Sequence, residues 1–360
     1  MTHAMTLSPR ERVRLALAHE QTDRIPIAMV CSGINPPAYQ ALSAYLPQHR
    51  GKNVAQFLEP YIDIKTVAPP YCGPSLPQRV DIWGVKRKSV SYGSGSYEEI
   101  EHYPLAGDIS LSDLDQYRWP SLGWHDYSAM PAVIEAVQQE QEYCLLLMNG
   151  NIFETSWYMR GFEQTLLDTV LNPELVHGIM SRVTDYFVSY FTNVLEAAQG
   201  AIDLVFTADD LAGQQGPLMS HKTWETFVKP YHVRLNEAIH QFEGVKVIYH
   251  SDGAVTGFVD GLIDMGIDVL QALQFSAKGM DPLYLKQTFG DRIGFEGGVS
   301  VQTTLPFGTV TEVEDEVCHL IDTLGKGGGY ILGPSHAIQA GTPPENIVAM
   351  FETAARYPLS

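Results

Sequence analysis

Two histidines and several carboxylates stand where apolar runs of this sequence end, the place from which a strand delivers chemistry. The run Val245-Lys246-Val247-Ile248-Tyr249 leads into His250-Ser251-Asp252-Gly253. Side chains two apart on a strand face the same way, so the His250 imidazole and the Asp252 carboxylate can converge on one point. Elsewhere Asp209 and Asp210 follow the run Asp203–Thr207, Glu296 follows Gly294-Phe295, and His336 follows Gly333-Pro334-Ser335. Nitrogen and oxygen donors on separate strands match the ligands of a catalytic Zn²⁺ site, in which three protein ligands leave a position for substrate. Each residue also has a plainer role: a strand-end histidine bonds a neighbouring loop, and Asp252, Asp209 and Asp210 cap a helix or a turn. A loop bearing Asn149, Asn151 and Glu154 leads to Trp157, Tyr158 and Arg160. These can stack on and pair with a flat or carboxylated substrate, or pack beneath the long helix that follows.

The elements that must position these residues form a regular rhythm from residue 144 onward. Strands are expected near residues 25, 61, 144, 203, 245, 269, 293 and 330, with helices between the later ones. Such alternation calls for a parallel sheet with crossover helices, and eight strands suffice to close a (β/α)₈ TIM barrel. Ahead of it, Ser8, Pro9 and Glu11 mark the start of an N-terminal helix. Prolines 69, 70, 74 and 77 punctuate an irregular insertion over about 70–130, where Asp81–Val85 reads as part of a hairpin strand. Residues 1–360 are therefore read as one barrel domain, whose strand ends would share one site. No Gly-x-Gly-x-x-Gly turn opens the first unit, and Gly327-Gly328-Gly329 precedes a strand, which suits a tight turn and not a phosphate cradle.

The composition narrows the class. With 42 acidic against 23 basic residues the net charge is -19, which repels nucleic acid and anionic membranes. No apolar run approaches the roughly 20 residues of a membrane helix. Met1 to Arg14 lacks a signal-peptide core, and the four cysteines show no paired spacing, so a reduced, cytoplasmic protein is expected. Cys318 falls within a predicted helix and is assigned to the core.

Several motifs in fixed order carry a family resemblance. Pro9-Arg10-Glu11-Arg12-Val13 to Asp23-Arg24-Ile25-Pro26, Asp81-Ile82-Trp83-Gly84, Asp209-Asp210-Leu211 to Lys229-Pro230-Tyr231, His250-Ser251-Asp252-Gly253 and Gly341-Thr342-Pro343-Pro344-Glu345-Asn346 together resemble the uroporphyrinogen decarboxylase superfamily. The resemblance implies a (β/α)₈ barrel and two activities, porphyrinogen decarboxylation and zinc-dependent methyl transfer serving corrinoid proteins. The decarboxylases carry an arginine-bearing loop after the first strand, whereas this chain has Val30-Cys31-Ser32-Gly33-Ile34-Asn35 there. Tyr158 and His336 do fall at the decarboxylases' site tyrosine and histidine. The thiol-directed methyltransferases place His-x-Cys where this chain has His250-x-Asp252, and a later cysteine near His336. A nitrogen and oxygen set makes zinc a stronger Lewis acid, suited to an ether or alcohol oxygen.

The resemblance thus implies a corrinoid-dependent methyltransferase that demethylates a small methoxylated, or aromatic methoxylated, donor. Its metal ligands would be His250, Asp252, Glu296 and His336, with Asp209 and Asp210 catalytic and Trp157, Tyr158 and Arg160 binding substrate. Zinc is the expected cofactor, and cobalamin would arrive on a separate corrinoid protein, since no cobalamin-binding domain is visible in the sequence. A homodimer is compatible with this expectation. The alternatives are a metal-free decarboxylase and a non-catalytic binding protein on the same barrel.

Overall fold

The Ser8 side chain accepts from the Glu11 backbone N–H and Glu11 answers on Ser8, a capping box that starts the first helix, Pro9–Leu17, where the sequence placed it. The computed structural model describes residues 7–31, 33–91, 93 and 95–359. Residues 1–6 of the stretch Met1 to Arg14, and Ser32 of the first strand-end loop, lie outside them. Among the described residues no helix is long and apolar enough to cross a membrane.

Seven parallel strands form a single curled sheet in sequence order: β1 (Ile64–Thr66), β2 (Cys144–Asn151), β3 (Leu204–Ala208), β4 (Lys246–His250), β5 (Val269–Ala272), β6 (Gly294–Val299) and β7 (Tyr330–Pro334). Period-2 burial explains them. Ile248 on β4, Phe206 on β3, Val269 on β5 and Ile331 on β7 fill the inside of the curl. Val247 and Tyr249, one residue out of phase, pack outward into the helical layer. That layer includes Pro173–Ala198, a 26-residue helix whose Val183, Phe187, Phe191 and Val194 are buried.

The strand expected at Ile25–Val30 is not a regular strand. It contributes one residue, Ile27, which bridges Ile62 on one side and Leu332 on the other, both parallel. Pro26 has no N–H to extend a ladder, although its carbonyl accepts from the Leu332 N–H at 2.8 Å and the Ala28 N–H donates to the Leu332 carbonyl at 2.9 Å. The eighth strand of the expected barrel is therefore reduced to a seam between the edges β1 and β7.

Asp63 holds that seam. Its carboxylate is fully buried and accepts from Arg12 at 2.5 Å, from Arg24 at 2.7 and 3.0 Å, and from the Ile27 N–H at 2.8 Å. Its own N–H donates to the Ile27 carbonyl at 2.9 Å. The sequence around Arg12 and Arg24 is thus the basic half of a buried ion cluster.

Two other expectations shift. The inserted hairpin pairs Lys86–Ser91 with Ser96–His102, so Asp81–Val85 is not in a strand. Asp81 instead accepts from the backbone N–H groups of Trp83 and Val85, a turn that competes with strand pairing. Asn149 and Asn151 end β2, and Trp157, Tyr158 and Arg160 lie inside the helix Ile152–Arg160, which starts directly after that strand. Cys318 lies in the helix Val310–Leu320 but is only partly buried.

Asp63→Ala removes the buried acceptor shared by Arg12 and Arg24, leaving Arg12 to its pair with Asp23 and the Ile27 N–H without an acceptor. Urea unfolding should show a loss of about 3 to 5 kcal/mol, whereas Glu142→Ala, which breaks the exposed pair with Arg10, should cost under about 1 kcal/mol.

Candidate active site

The C-terminal tips of the strands bring the sequence candidates close together, though not as one set. His250, at the end of β4, is buried and its Nδ1 sits in a short hydrogen bond with Oε1 of Gln271 on β5. Its other nitrogen, Nε2, lies 3.7 Å from Asp210 Oδ1. The two imidazoles of His250 and His336 have ring centroids 6.0 Å apart.

Cys31 joins them. The loop after β7 pairs back on the loop after Val30: the Asn35 N–H donates to the Ile338 carbonyl and the Ile338 N–H to the Gly33 carbonyl, each at 2.9 Å. The seam at Ile27 thereby carries Cys31 to the side of His336. The ligand atoms of Cys31, His250 and His336 all lie within 4.8 Å of one another, and so do those of Asp210, His250 and Asp252. His250 belongs to both groups.

Asp252 is held beside this centre by its backbone. Its N–H donates to Asp210 Oδ1 at 2.8 Å, and the next residue, Gly253, has φ +83° with room for no side chain: a Cβ there would lie 2.4 Å from the Ala212 carbonyl oxygen. Burial pushes the Asp252 carboxyl up; His250 opposes the shift, Asp210 adds to it, and His336 opposes it less strongly. Its Oδ2 faces His336 Nε2 at 4.0 Å.

Asp209 and Asp210 have different surroundings. Asp209 is fully buried and accepts from the backbone N–H groups of Phe153 and Glu154, at 2.8 and 2.7 Å, and from His232 Nε2 at 2.5 Å. It anchors the first turn of the helix that carries Glu154 and Tyr158, where the helix dipole favours an anion. Asp210 faces the cluster. Between them and β2 lies Glu154, buried, accepting from Asn151 Nδ2 at 2.5 Å. Burial, Asp210 and Asp209 push its carboxyl up to about 8. Cys31 and Glu154 are absent from the site expected on sequence; their signals were a cysteine at the end of the first apolar run and an acid three residues after Asn151.

Two cavities are relevant, and only the first is lined by residues of the cluster. Asp252, His336, Gln274 and Ser335 line one of about 520 Å³, with Phe307 at 83% exposure also part of its wall. The other, about 320 Å³, is lined by Tyr158, Trp83, Tyr186, Tyr190, Asn149 and Asn151, with Arg87 and Asp81 among its polar groups. Arg87 lies 5.2 Å from the Tyr158 ring centroid and pairs with Asp81 at 2.6 Å. Trp157 does not line either cavity; its ring packs on Tyr158 and Phe162, with centroids 4.2 and 5.3 Å away. Arg160 is buried in an ion pair with Asp168 at 2.8 Å and donates to the carbonyls of Leu105 and Gly107 at 2.6 Å.

Glu296 lies in neither ligand group. It is fully buried on β6, neither carboxyl oxygen makes a hydrogen bond among the described residues, and burial pushes the carboxyl up to about 8 against the pull of the Gln271 amide.

The pattern of the uroporphyrinogen decarboxylase (URO-D) family matches residues 91–357, most of the chain. The chain belongs to the uroporphyrinogen decarboxylase family. Its relatives include the uroporphyrinogen decarboxylase of Crocosphaera subtropica, 23% identical over 184 residues, a match covering 51% of this chain and 48% of that one. Another is the uroporphyrinogen decarboxylase of Nitrosospira multiformis, 21% identical over 235 residues, 61% of this chain and 60% of that protein. The chain thus spans about half the length of the first of these curated relatives and three fifths of the second. Among solved structures, a methyltransferase from Methanosarcina mazei superposes with a TM-score of 0.70 at 18% identity, covering 97% of this chain and 98% of that one. That structure shares this chain's fold over nearly all of its length.

The two glutamates raised to about 8, Glu154 and Glu296, contribute a pH dependence. A glutamate near pH 8 in the fold and near its ordinary 4.5 when unfolded keeps its proton in the native state after the unfolded chain has lost it, so stability falls as pH rises from 4.5 to 8. Glu296→Gln cannot ionise. Urea unfolding of the metal-free protein at pH 5 and pH 8.5 should show the variant losing less stability than wild type, by on the order of a few kcal/mol.

Proposed function

We propose that this chain is a metal-dependent methyltransferase that demethylates a small methoxylated donor, with the corrinoid of a separate protein as methyl acceptor. The observation that carries this is the convergence of Cys31, from the segment after the Ile27 seam, with His250, at the end of β4, and His336, beyond β7, with ligand atoms within 4.8 Å of one another and a cavity lined by His336 and Asp252 beside them. In this reading the curled sheet, joined at Ile27, works as a (β/α)₈ barrel with its active end at the strand tips.

A thiolate and two imidazoles fit zinc, and three ligands leave a position for substrate. His250 with its Nδ1 on Gln271 keeps Nε2 for that purpose. Asp252, beside His336, and Asp210, beside His250, are the oxygen donors nearest this set, and with His250 they form an alternative, harder ligand group. Glu296, expected as a ligand, is assigned here to the layer behind His250. Zinc held by Cys31, His250 and His336 would supply Lewis acidity to an oxygen of the donor.

The chain's own groups do the rest. The aromatic cavity of Tyr158, Trp83, Tyr186 and Tyr190 receives the apolar body of the donor, and Asn149 and Asn151 supply polar contacts. Trp157 backs Tyr158, and Arg160 fixes the loop at Leu105–Gly107 that borders the helix. Asp210 positions the reacting oxygen, Glu154 holds a proton for the departing alcohol, and Asp209 keeps the Glu154 helix in place.

The relatives named uroporphyrinogen decarboxylases support a second reading, metal-free decarboxylation using Tyr158 and His336. Against it, the arginine that lines the smaller cavity, Arg87, is already paired with Asp81, and Arg160 is buried with Asp168, so a substrate with many carboxylates would lack partners.

Purified protein should contain close to stoichiometric zinc by elemental analysis and should methylate a Co(I) corrinoid protein from a methoxylated donor. His250→Ala should lower that rate at least about 100-fold. Full activity in a chelated, metal-free preparation would contradict the proposal, and carbon dioxide release from a porphyrinogen without metal would establish the second reading.

A further inference from the structure

His250, Gln271 and Glu296 occupy one register row of the sheet. His250 pairs with Gln271 across β4 and β5, and Gln271 pairs with Glu296 across β5 and β6. Residues in register on adjacent parallel strands point to the same face, and here the face is the interior of the curl, where Ala208 and Ile331 continue the row. Three polar side chains in succession inside an apolar barrel are costly unless they satisfy one another. The short contact between Gln271 Oε1 and His250 Nδ1 leaves the Gln271 Nε2 amide directed to its other neighbour in the row. That Nε2 and both Glu296 oxygens are buried and make no hydrogen bond among the described residues, although the Gln271 amide is near enough to oppose the rise of the Glu296 carboxyl pKa. Room for Glu296 comes from Gly333 on β7, where a Cβ would lie 2.8 Å from Glu296 Oε1.

We propose that Gln271 and Glu296 are a positioning pair for His250. Glu296 takes the Gln271 amide N–H, which turns the Gln271 carbonyl oxygen toward His250; that oxygen takes the Nδ1–H, and Nε2 keeps its lone pair toward Cys31 and His336. Charged or protonated, Glu296 presents an oxygen acceptor to the amide, so the relay does not depend on its ionisation. The opposite amide orientation would put the Gln271 N–H on Nδ1, move the imidazole proton to Nε2 and block the ligand nitrogen. Neither Gln271 nor Glu296 need touch substrate. The importance of the pair rests on the reading of His250 as a metal ligand, but the tautomer it enforces can be measured without metal.

The test is long-range ¹H–¹⁵N correlation on histidine-labelled, metal-free protein, with the His250 ring assigned by difference against His250→Asn. Wild type should show His250 as the Nδ1–H tautomer. Gln271→Leu and Glu296→Leu should lose that preference and weaken zinc binding about 10- to 100-fold in chelator competition, while Glu296→Gln, which keeps an acceptor oxygen, should restore both. A wild-type His250 protonated at Nε2 overturns the proposal whatever the variants do. So does retention of tautomer and zinc affinity in both leucine variants. If wild type shows the Nδ1–H form yet binds no zinc, the pair stands and the methyltransferase reading fails.

Discussion

The active end of this protein depends on how the curled sheet meets itself at Ile27. Seven strands alone would leave β1 and β7 as open edges, and the loops beyond their neighbours would have no reason to approach. One bridge residue, with Asp63 buried between Arg12 and Arg24 beneath it, joins the edges. Beyond the seam the chain continues into Cys31, and the return loop beyond β7 carries His336. The contact of the two edges through Ile27 is therefore what brings the Cys31 sulfur beside His336. A buried ion cluster is a costly way to secure a seam, and it stabilises only while every partner is present.

Burial then differentiates side chains of the same type. Asp209, fully enclosed, is occupied by two backbone N–H groups and His232, and serves as the anchor of a helix. Asp210, its neighbour in sequence, faces the ligand cluster. Glu154 and Glu296 are both raised to about 8 by burial, but Glu154 has charged neighbours at the site, whereas Glu296 has only the Gln271 amide behind His250. Four carboxylates of similar appearance in the sequence thus stand in four different surroundings.

Much of the fold was legible because period-2 apolar runs and capped helices carry their own signal. The β3 to β7 strands, the Ser8 capping box and the helix Pro173–Ala198 lie where the pattern put them. The first strand misled because Ile25–Val30 has the composition of a strand, while its pairing is limited by Pro26 and by the short partner β1. At the site, His250, Asp252 and His336 could be read as strand-tip residues and do come close together. Cys31 also ends an apolar run, but its approach to His336 is created by backbone pairing between loops about 300 residues apart in sequence, which no local pattern signals. Arg160 had the composition of a substrate ligand, and only its buried partner Asp168 reveals that its guanidinium is taken.

The ligand set itself is the most direct point of decision. X-ray absorption at the zinc edge of the zinc-loaded protein should find one sulfur at about 2.3 Å and nitrogen or oxygen donors at about 2.0 to 2.1 Å, with the sulfur shell lost in Cys31→Ser. A first shell of nitrogen and oxygen only, unchanged by that substitution, would contradict the assignment of Cys31, His250 and His336 as the metal centre.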